Sequence, residues 1–474
     1  MTILPQDPAA DPTPAALRAF LLQCQAVAQK RGRPQLVSIS IEVEPLDPLA
    51  VLESIFEPGE RHFYVERPAE RMAVAGAEAV LSFSAAGPGR FGACRDFIDR
   101  ALEETLAVGD QSAPFAGPHF FAAFAFSDTV APNEPFEAAT VFVPRWQVAL
   151  REGRTVAVAN LMVEAGAPVD ALAERVWRAH AKFGAFDYAA PAFAAREPGG
   201  RLRPEAAAAT EGYAAAVARA LERIGAGRLE KVVLARAKEL RTGQALHPLE
   251  ALNGLRQRFA DCYAFSVANG RGESFIGASP ERLLRADGQA LLSEALAGSA
   301  GRGATASADA ALAGALRRDD KERREHRLVV ESIAGALQEL GLRPEFPAEP
   351  ALRRLANVQH LHTPVRAARP PGLRLLDVLG RLHPTAAVGG APRAAALAGI
   401  REWEPFPRGL YAGALGWIDA ADRGEFLVGL RSALIEGERA TLYAGAGIVA
   451  GSAPEKELAE TEMKFQVMQQ ALLG

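Results

Sequence analysis

Residues 263–298 read YAFSVANGRGESFIGASPERLLRADGQALLSEALAG, and this stretch decides the fold. Runs of strand-forming residues over 263–269 and 274–278 flank Gly270-Arg271-Gly272. A second pair of runs, over 282–286 and 290–296, flanks Asp287-Gly288. Asp-Gly between two such runs marks a tight hairpin, because the favoured two-residue turn needs positive φ at both central positions. Outward from here the pattern predicts a helix over 213–225 and a strand over 230–237 with Lys231 at its entrance. A long, broken helix is expected over 307–340. A meander over 410–418, 425–435 and 440–444 follows, with turns at 421–424 and 436–438, and then a terminal helix over 453–472. In the first half, strands are expected over 37–44, 120–126, 140–150 and 155–163, and helices over 17–31 and 169–183. Hairpins with helices between them predict an α+β chain of antiparallel sheets covered by helices, not a parallel doubly wound sheet. No Gly-x-Gly-x-x-Gly follows a strand and opens a helix, and no Walker motif is present.

Composition narrows the function. The 474 residues are 49% hydrophobic and 23% charged with a net charge of −4, a globular balance without the basic stripe that nucleic acid would require. The apolar run over 115–127 contains Gly117, Pro118 and His119 and falls short of the roughly 18 residues of a membrane span. Its 120–126 segment is expected to be a buried strand. Cys24, Cys94 and Cys262 are too far apart in sequence for a metal knuckle and are expected to be buried free thiols in a reducing, cytoplasmic setting. Residues 1–13 hold acids and prolines with no basic-then-apolar pattern, so no signal peptide is expected. An Ala-, Pro-, Gly- and Arg-rich connector over 188–210 separates a first half without an evident catalytic constellation from a second half that carries the chemistry.

That chemistry lies in charge spacing. Residues three and four apart share one face of a helix, so Glu457, Glu460 and Lys464 should point one way, as should Glu322 and Glu325. A lone Glu-x-x-Glu is usually solvated charge. Two pairs facing one cavity would form the hard oxygen set that Mg²⁺ takes when a substrate supplies further oxygens. Arg431, Lys464 and the Gly445-Ala446-Gly447 backbone add fixed cations and an open approach for a small polyanion.

Several motifs then resemble the chorismate-utilising enzymes, closest to isochorismate synthases. They are Lys231-Val-Val-Leu-Ala-Arg236, Gly277-Ala-Ser-Pro-Glu281-Arg-Leu, Leu296-Ala-Gly-Ser299, Glu322-Arg-Arg-Glu325-His326, Val358-Gln-His360-Leu, Leu382-His-Pro-Thr385, Leu430-Arg-Ser-Ala, Tyr443-Ala-Gly-Ala-Gly-Ile448 and Glu457-x-x-Glu460-Thr-x-x-Lys464. The resemblance covers roughly 205–470. It implies a large α/β sandwich of antiparallel sheets like that of anthranilate synthase component I. Residues 205–474 would be the chorismate-binding catalytic region, and residues 1–200 an N-terminal α/β portion packed into the same sandwich. Residues 1–200 resemble the family only loosely, with Pro45-Leu-Asp-Pro48 similar to isochorismate synthases.

The resemblance also implies roles. Lys231 matches the base that activates water and Glu281 the acid that releases the leaving hydroxyl, with its carboxyl raised by burial. Glu325 and Glu457 match direct Mg²⁺ ligands, and Glu322 and Glu460 their outer partners. Tyr411 and Arg431 match the grip on the enolpyruvyl carboxylate, helped by Gly445, Ala446 and Gly447. Gly298 and Ser299 would line the ring-carboxylate side, His360 would lie near the ring, and Lys464 near metal and substrate. Ammonia-using relatives usually carry a non-basic residue at the Lys231 position and need an amidotransferase subunit, so water is expected as nucleophile and no such subunit as partner. The expected activity is an Mg²⁺-dependent isomerase converting chorismate to isochorismate, in a monomer or weak homodimer. The alternatives are salicylate synthesis by further loss of pyruvate, then an anthranilate or aminodeoxychorismate synthase component, or a non-catalytic chorismate-binding module. One departure stands out: Leu458-Ala459 occupies positions where many members have an aromatic and then a basic or polar residue.

Overall fold

The computed structural model describes residues 1–3, 13–184, 188, 201–202 and 207–473. The first half contains β1 (Thr2–Ile3), α1 (Pro14–Arg31), β2 (Gln35–Val43), α2 (Pro48–Ser54), β3 (Arg61–Arg67), β4 (Met72–Ala85), α3 (Arg90–Glu103), β5 (Thr105–Val108), β6 (His119–Phe124), β7 (Ala139–Arg151), β8 (Arg154–Val163) and α4 (Val169–Gly184). The second half begins with β9 (Arg201–Leu202), α5 (Ala207–Gly225), β10 (Lys231–Arg241), α6 (Pro248–Arg258), β11 (Tyr263–Asn269), β12 (Glu273–Ser279), β13 (Arg282–Asp287) and β14 (Ala290–Gly301). It continues with α7 (Ala306–Arg318), α8 (Asp320–Glu339), β15 (Ala351–Arg354), β16 (Val358–Ala368), α9 (Leu375–Leu382), β17 (Gly390–Ala391), α10 (Arg393–Trp403), β18 (Ala414–Asp419), β19 (Gly424–Val428), β20 (Ser432–Glu436), β21 (Arg439–Val449) and α11 (Pro454–Leu473). Of the connector expected over 188–210, residues 207–210 already belong to α5, and 189–200 and 203–206 lie outside the described residues, as do residues 4–12. Among the described residues no helix is long and apolar enough to cross a membrane. The three cysteines are buried and free.

Hydrogen bonding arranges the strands in two ladders. One runs β2–β8–β7–β4–β3–β11–β12–β20–β21–β10, antiparallel throughout. The other runs β6–β18–β19–β13–β14–β16–β15, also antiparallel. Strand β7 joins them, since its first residues pair with β6 while its last pair with β8. The parallel exceptions among the described residues are β5 against β1 and β2. The ladders face each other across buried aromatics: Phe63 of β3 stacks on Phe121 of β6 with ring centroids 4.7 Å apart. One core cluster draws residues from both halves of the chain, Phe63 and Phe121 together with Phe265, Phe275 and Phe426.

Both predicted hairpins form, β11–β12 and β13–β14. The break expected in the helix over 307–340 falls at Asp319, which closes α7 and caps α8, its carboxylate accepting the Glu322 N–H at 3.0 Å. One other expectation is corrected. The strand expected over 425–435 divides into β19 and β20, which pair with different neighbours: β19 with β13 and β18, β20 with β12 and β21. At the division Arg431 takes φ 47°, a left-handed conformation uncommon for a side chain of its size. Strands β4 and β16 carry little sequence signal of their own. β4 is rich in Ala, Gly and Ser, and β16 contains Pro364.

A buried ionic network stitches the ladders together. The Arg282 guanidinium donates to Glu425 at 2.7 Å, Glu294 at 2.8 Å and Glu70 at 2.8 Å. Tyr263 also donates to Glu425, at 2.5 Å, and accepts from Arg67 at 2.7 Å. Removing one member of such a network strands charge in a low dielectric. Arg282→Ala should therefore destabilise the protein by about 3–5 kcal/mol, read as a fall in the urea unfolding midpoint. A shift of a few tenths of a kcal/mol would mean that the three carboxylates find other partners.

Candidate active site

A cleft with an empty volume of about 780 Å³, its open mouth included, lies between β10, β14, β16 and β21 and under α8 and α11. Its wall contains eleven of the residues singled out from sequence: Glu281, Gly298, Ser299, Glu325, His360, Tyr411, Arg431, Gly445, Gly447, Glu460 and Lys464. Lys231, Glu322, Glu457 and Ala446 are not in the wall. Lys231 and Glu322 contact residues that are, Glu325 and Ser299, and Glu457 pairs with Lys321. Ala446 projects to the other side of its strand from its glycine neighbours, because successive side chains alternate across a strand.

Antiparallel register places the base candidate. Lys231 opens β10, where Val233 faces Gly447 and Ala235 faces Gly445. The lysine is 0% exposed, and its ammonium lies 3.0 Å from Glu325 Oε1, close enough for charge attraction but without hydrogen-bond alignment. A Cβ on Gly447 would meet Glu325 Oε1 at 2.0 Å and Lys231 Cε at 3.1 Å, so the carboxylate is seated in the space of a missing side chain. A Cβ on Gly445 would likewise meet the Tyr411 hydroxyl at 2.7 Å.

On the opposite ladder, β14 bulges at Gly298, which takes φ 75°, and the register slips between Ala297 and Ser299. A glycine in the left-handed region is the standard means of inserting one extra residue into a strand. The slip brings Ser299 opposite His360, with Ser299 Oγ 2.9 Å from His360 Nδ1. Arg431 Nη2 lies 3.2 Å from His360 Nε2. A guanidinium can only donate, so Nε2 accepts and Nδ1–H donates to Ser299. Burial, and then the charges of Arg431 and Lys464, hold this imidazole well below its ordinary range, and it is neutral. Arg431 is 8% exposed and has no carboxylate partner among the described residues; its other polar contact is Cys262 Sγ at 4.0 Å. A buried cation without an anion is expensive, and this one faces the cleft.

Glu281 follows Pro280 at the end of β12 and is 3% exposed. Burial pushes its carboxyl up to about 8 against the pull of the Lys231 ammonium, so near neutrality it carries a proton.

The acidic pairs arrange themselves differently from the cage expected. Each carboxylate has an ammonium partner: Glu325 with Lys231, Glu460 with Lys464 at 2.7 Å, and both Glu322 and Glu457 with Lys321, at 3.2 and 3.0 Å. Among the described residues no three His, Cys, Asp or Glu side chains lie close enough to enclose a metal ion. The donor chemistry nonetheless fits a hard cation. Glu457 is 1% exposed and its Oε2 has no hydrogen-bond partner. The Glu322 carboxyl is raised by burial and then by the neighbouring Glu325 charge, as expected of acids crowded without enough positive charge. Glu457 is raised by burial as well, against the pull of Lys321.

Sequence reasoning missed Lys321, although it stands beside Glu322, and it gave Tyr443 no role. Tyr443 lies two residues before Gly445 in β21, lines the cleft and stacks on Tyr411 at 5.2 Å; period-two alternation from Gly445 and Gly447 was the available signal. The departure at Leu458 is absorbed by packing, since its side chain lies against the main core.

The family described as chorismate binding enzyme matches residues 19–473. The salicylate biosynthesis isochorismate synthase of Pseudomonas aeruginosa is 36% identical over 471 residues, covering 96% of this chain and 94% of that protein. The isochorismate synthase MenF of Bacillus subtilis is 32% identical over 470 residues, covering 96% and 98%. Among solved structures, the menaquinone-specific isochorismate synthase of Escherichia coli superposes with a TM-score of 0.75 at 26% identity, over 95% of this chain and 99% of that one. Anthranilate synthase component I of Streptococcus pneumoniae, at 20% identity and TM-score 0.67 over 84% of this chain and 92% of that one, shares the fold.

Because only the absent Cβ of Gly447 admits Glu325, Gly447→Ala should displace that carboxylate by an ångström or so and lower turnover of chorismate about 100-fold. Circular dichroism should stay near that of the parent while the unfolding midpoint falls, since the clash is with the ends of two side chains, Glu325 and Lys231, and it disturbs the pairing of a buried lysine. Undiminished turnover would show that the Glu325 position is not critical.

Proposed function

The chain belongs to the chorismate-binding enzyme family, and from that premise we propose that it is an isochorismate synthase, an isomerase that converts chorismate to isochorismate. The observation that carries the reading is the pairing, about one cleft, of a fully buried lysine with a buried carboxylic acid that keeps its proton at neutral pH. Water adds at ring carbon 2, the double bonds shift, and the hydroxyl at carbon 4 departs. Water enters and water leaves, so the composition is unchanged.

Lys231 is the group assigned to accept the proton of the attacking water. Glu281 delivers its own proton to the departing hydroxyl, and burial makes it a competent donor near neutrality. Proton return from Lys231 to Glu281 resets the site. Arg431, oriented by His360, grips the enolpyruvyl carboxylate, with the Tyr411 hydroxyl and the open backbone at Gly445 beside it. Gly298 and Ser299 lie on the ring-carboxylate side, and Lys464, fixed by Gly445 O at 2.8 Å and by Glu460, closes that end. Glu325 and Glu457 would hold a Mg²⁺ ion, with Glu322 and Glu460 around it. When bound, the ion supplies fixed positive charge for the ring carboxylate. A lysine poised for water leaves no role for an ammonia-delivering amidotransferase subunit.

Incubation with chorismate and Mg²⁺, followed by chromatography, tests the reading directly. Isochorismate should accumulate without pyruvate, and EDTA should stop the reaction until Mg²⁺ is restored. Salicylate with stoichiometric pyruvate would make the protein a salicylate synthase, and unchanged chorismate would make it a binding protein.

The acid has its own test. A donor raised to about 8 is competent below that pH and lost as pH rises through it, so turnover should decline on the alkaline side near pH 8. Glu281→Gln should lose about 10²–10⁴-fold in turnover below pH 8, and the gap should narrow above it, with chorismate affinity within a few-fold of the parent. Weakened affinity with unchanged turnover at saturation would make Glu281 a binding residue.

A further inference from the structure

Lys321 stands out among the cations near the cleft. It lies in the first turn of α8, where the helix dipole disfavours positive charge. Its ammonium contacts Glu457 Oε1 at 3.0 Å and Glu322 Oε1 at 3.2 Å, and these two carboxylates come from different helices. The neighbouring ammonium groups are held in other ways. Lys231 is 0% exposed, and Lys464 is tied to the Gly445 carbonyl as well as to Glu460. The Lys321 side chain is 24% exposed, on a flexible four-carbon stem. The two glutamates hold it in place, and solvent is open to it.

We propose that Lys321 is a displaceable counter-ion of the metal site: its ammonium neutralises Glu322 and Glu457 while no metal is bound, and yields them when a divalent cation arrives. This rests on the assignment of those glutamates to Mg²⁺ made above. An ammonium 3.0 Å from Glu457 Oε1 and a divalent cation on the same carboxylate repel each other, so both cannot hold it closely. Lys321 thus trades metal affinity for stability of the metal-free protein, in which four carboxylates would otherwise crowd one region. It acts on the metal ligands, not on the substrate, and is a positioning residue.

Calorimetric titration of the full-length protein with MgCl₂ at fixed ionic strength, without chorismate, tests this. Lys321→Met should bind Mg²⁺ about tenfold more tightly than the parent, and Lys321→Arg within about twofold of it. In thermal unfolding, metal-free Lys321→Met should melt below the parent, and saturating Mg²⁺ should raise its midpoint more than the parent's. Lys321→Gln gives the same reading should the Met variant fail to fold. Equal or weaker Mg²⁺ binding by the neutral variants, with the parent binding normally, overturns the proposal and leaves the metal site standing. Absence of Mg²⁺ binding in the parent overturns both.

Discussion

The site depends on one close approach. Strands β10 and β21 are adjacent in the ladder, and between them and α8 a lysine and a glutamate are buried together. Space for the glutamate exists because position 447 has no side chain; a methyl there would lie 2.0 Å from its oxygen. With Glu325 seated, the Lys231 ammonium has a partner and can be fully buried. Without it, a buried unpaired charge would cost several kcal/mol. The same strand repeats the device two residues earlier, where Gly445 makes room for the Tyr411 hydroxyl. Alternation along β21 therefore writes both halves of the cleft, the Glu325 and Lys231 end and the Tyr411 and Arg431 end, into one short segment.

Electrostatics then divides the cleft. At one end are four carboxylates and the ammonium groups that hold them. At the other is Arg431, with a neutral imidazole in place of an anion. An imidazole can accept a hydrogen bond from a guanidinium without cancelling its charge, so the arginine is oriented and still available to a carboxylate. A substrate with two carboxylates, one for the arginine and one for a cation that the glutamates are proposed to hold, suits this division. Glu281 sits between these roles: burial keeps it neutral, and a neutral carboxylic acid can both tolerate the apolar wall and give up a proton.

The Arg282 network links this chemistry to the first half of the chain. Arg282 follows Glu281 directly, and its guanidinium reaches Glu70 in the segment between β3 and β4 as well as Glu294 and Glu425. Glu294 also holds Arg353 at 2.7 Å, and both belong to the charges that bear on Glu281. The first half bears no residue of the cleft wall, yet it supplies one carboxylate of the cluster behind the acid.

Sequence alone determined the parts of this protein whose physics is local. Hairpins at Gly270–Gly272 and at Asp287-Gly288, the amphipathic helices, and the two Glu-x-x-Glu faces follow from turn chemistry and periodicity, and eleven candidate site residues do meet at one cleft. The family resemblance in turn rests on motifs that are contiguous and can be read without a fold. Tertiary structure decided what depends on distant neighbours. Ala- and Gly-rich β4 and Pro-containing β16 are strands because adjacent strands supply their partners, not because of their own propensity. The meander broke at Arg431 because β19 and β20 serve different neighbours. The partner of each glutamate was decided there too: Lys321, sequence neighbour of Glu322, also reaches Glu457 on another helix. Periodicity tells which side chains share a face; only packing of two helices and two ladders tells which opposite charge reaches that face first.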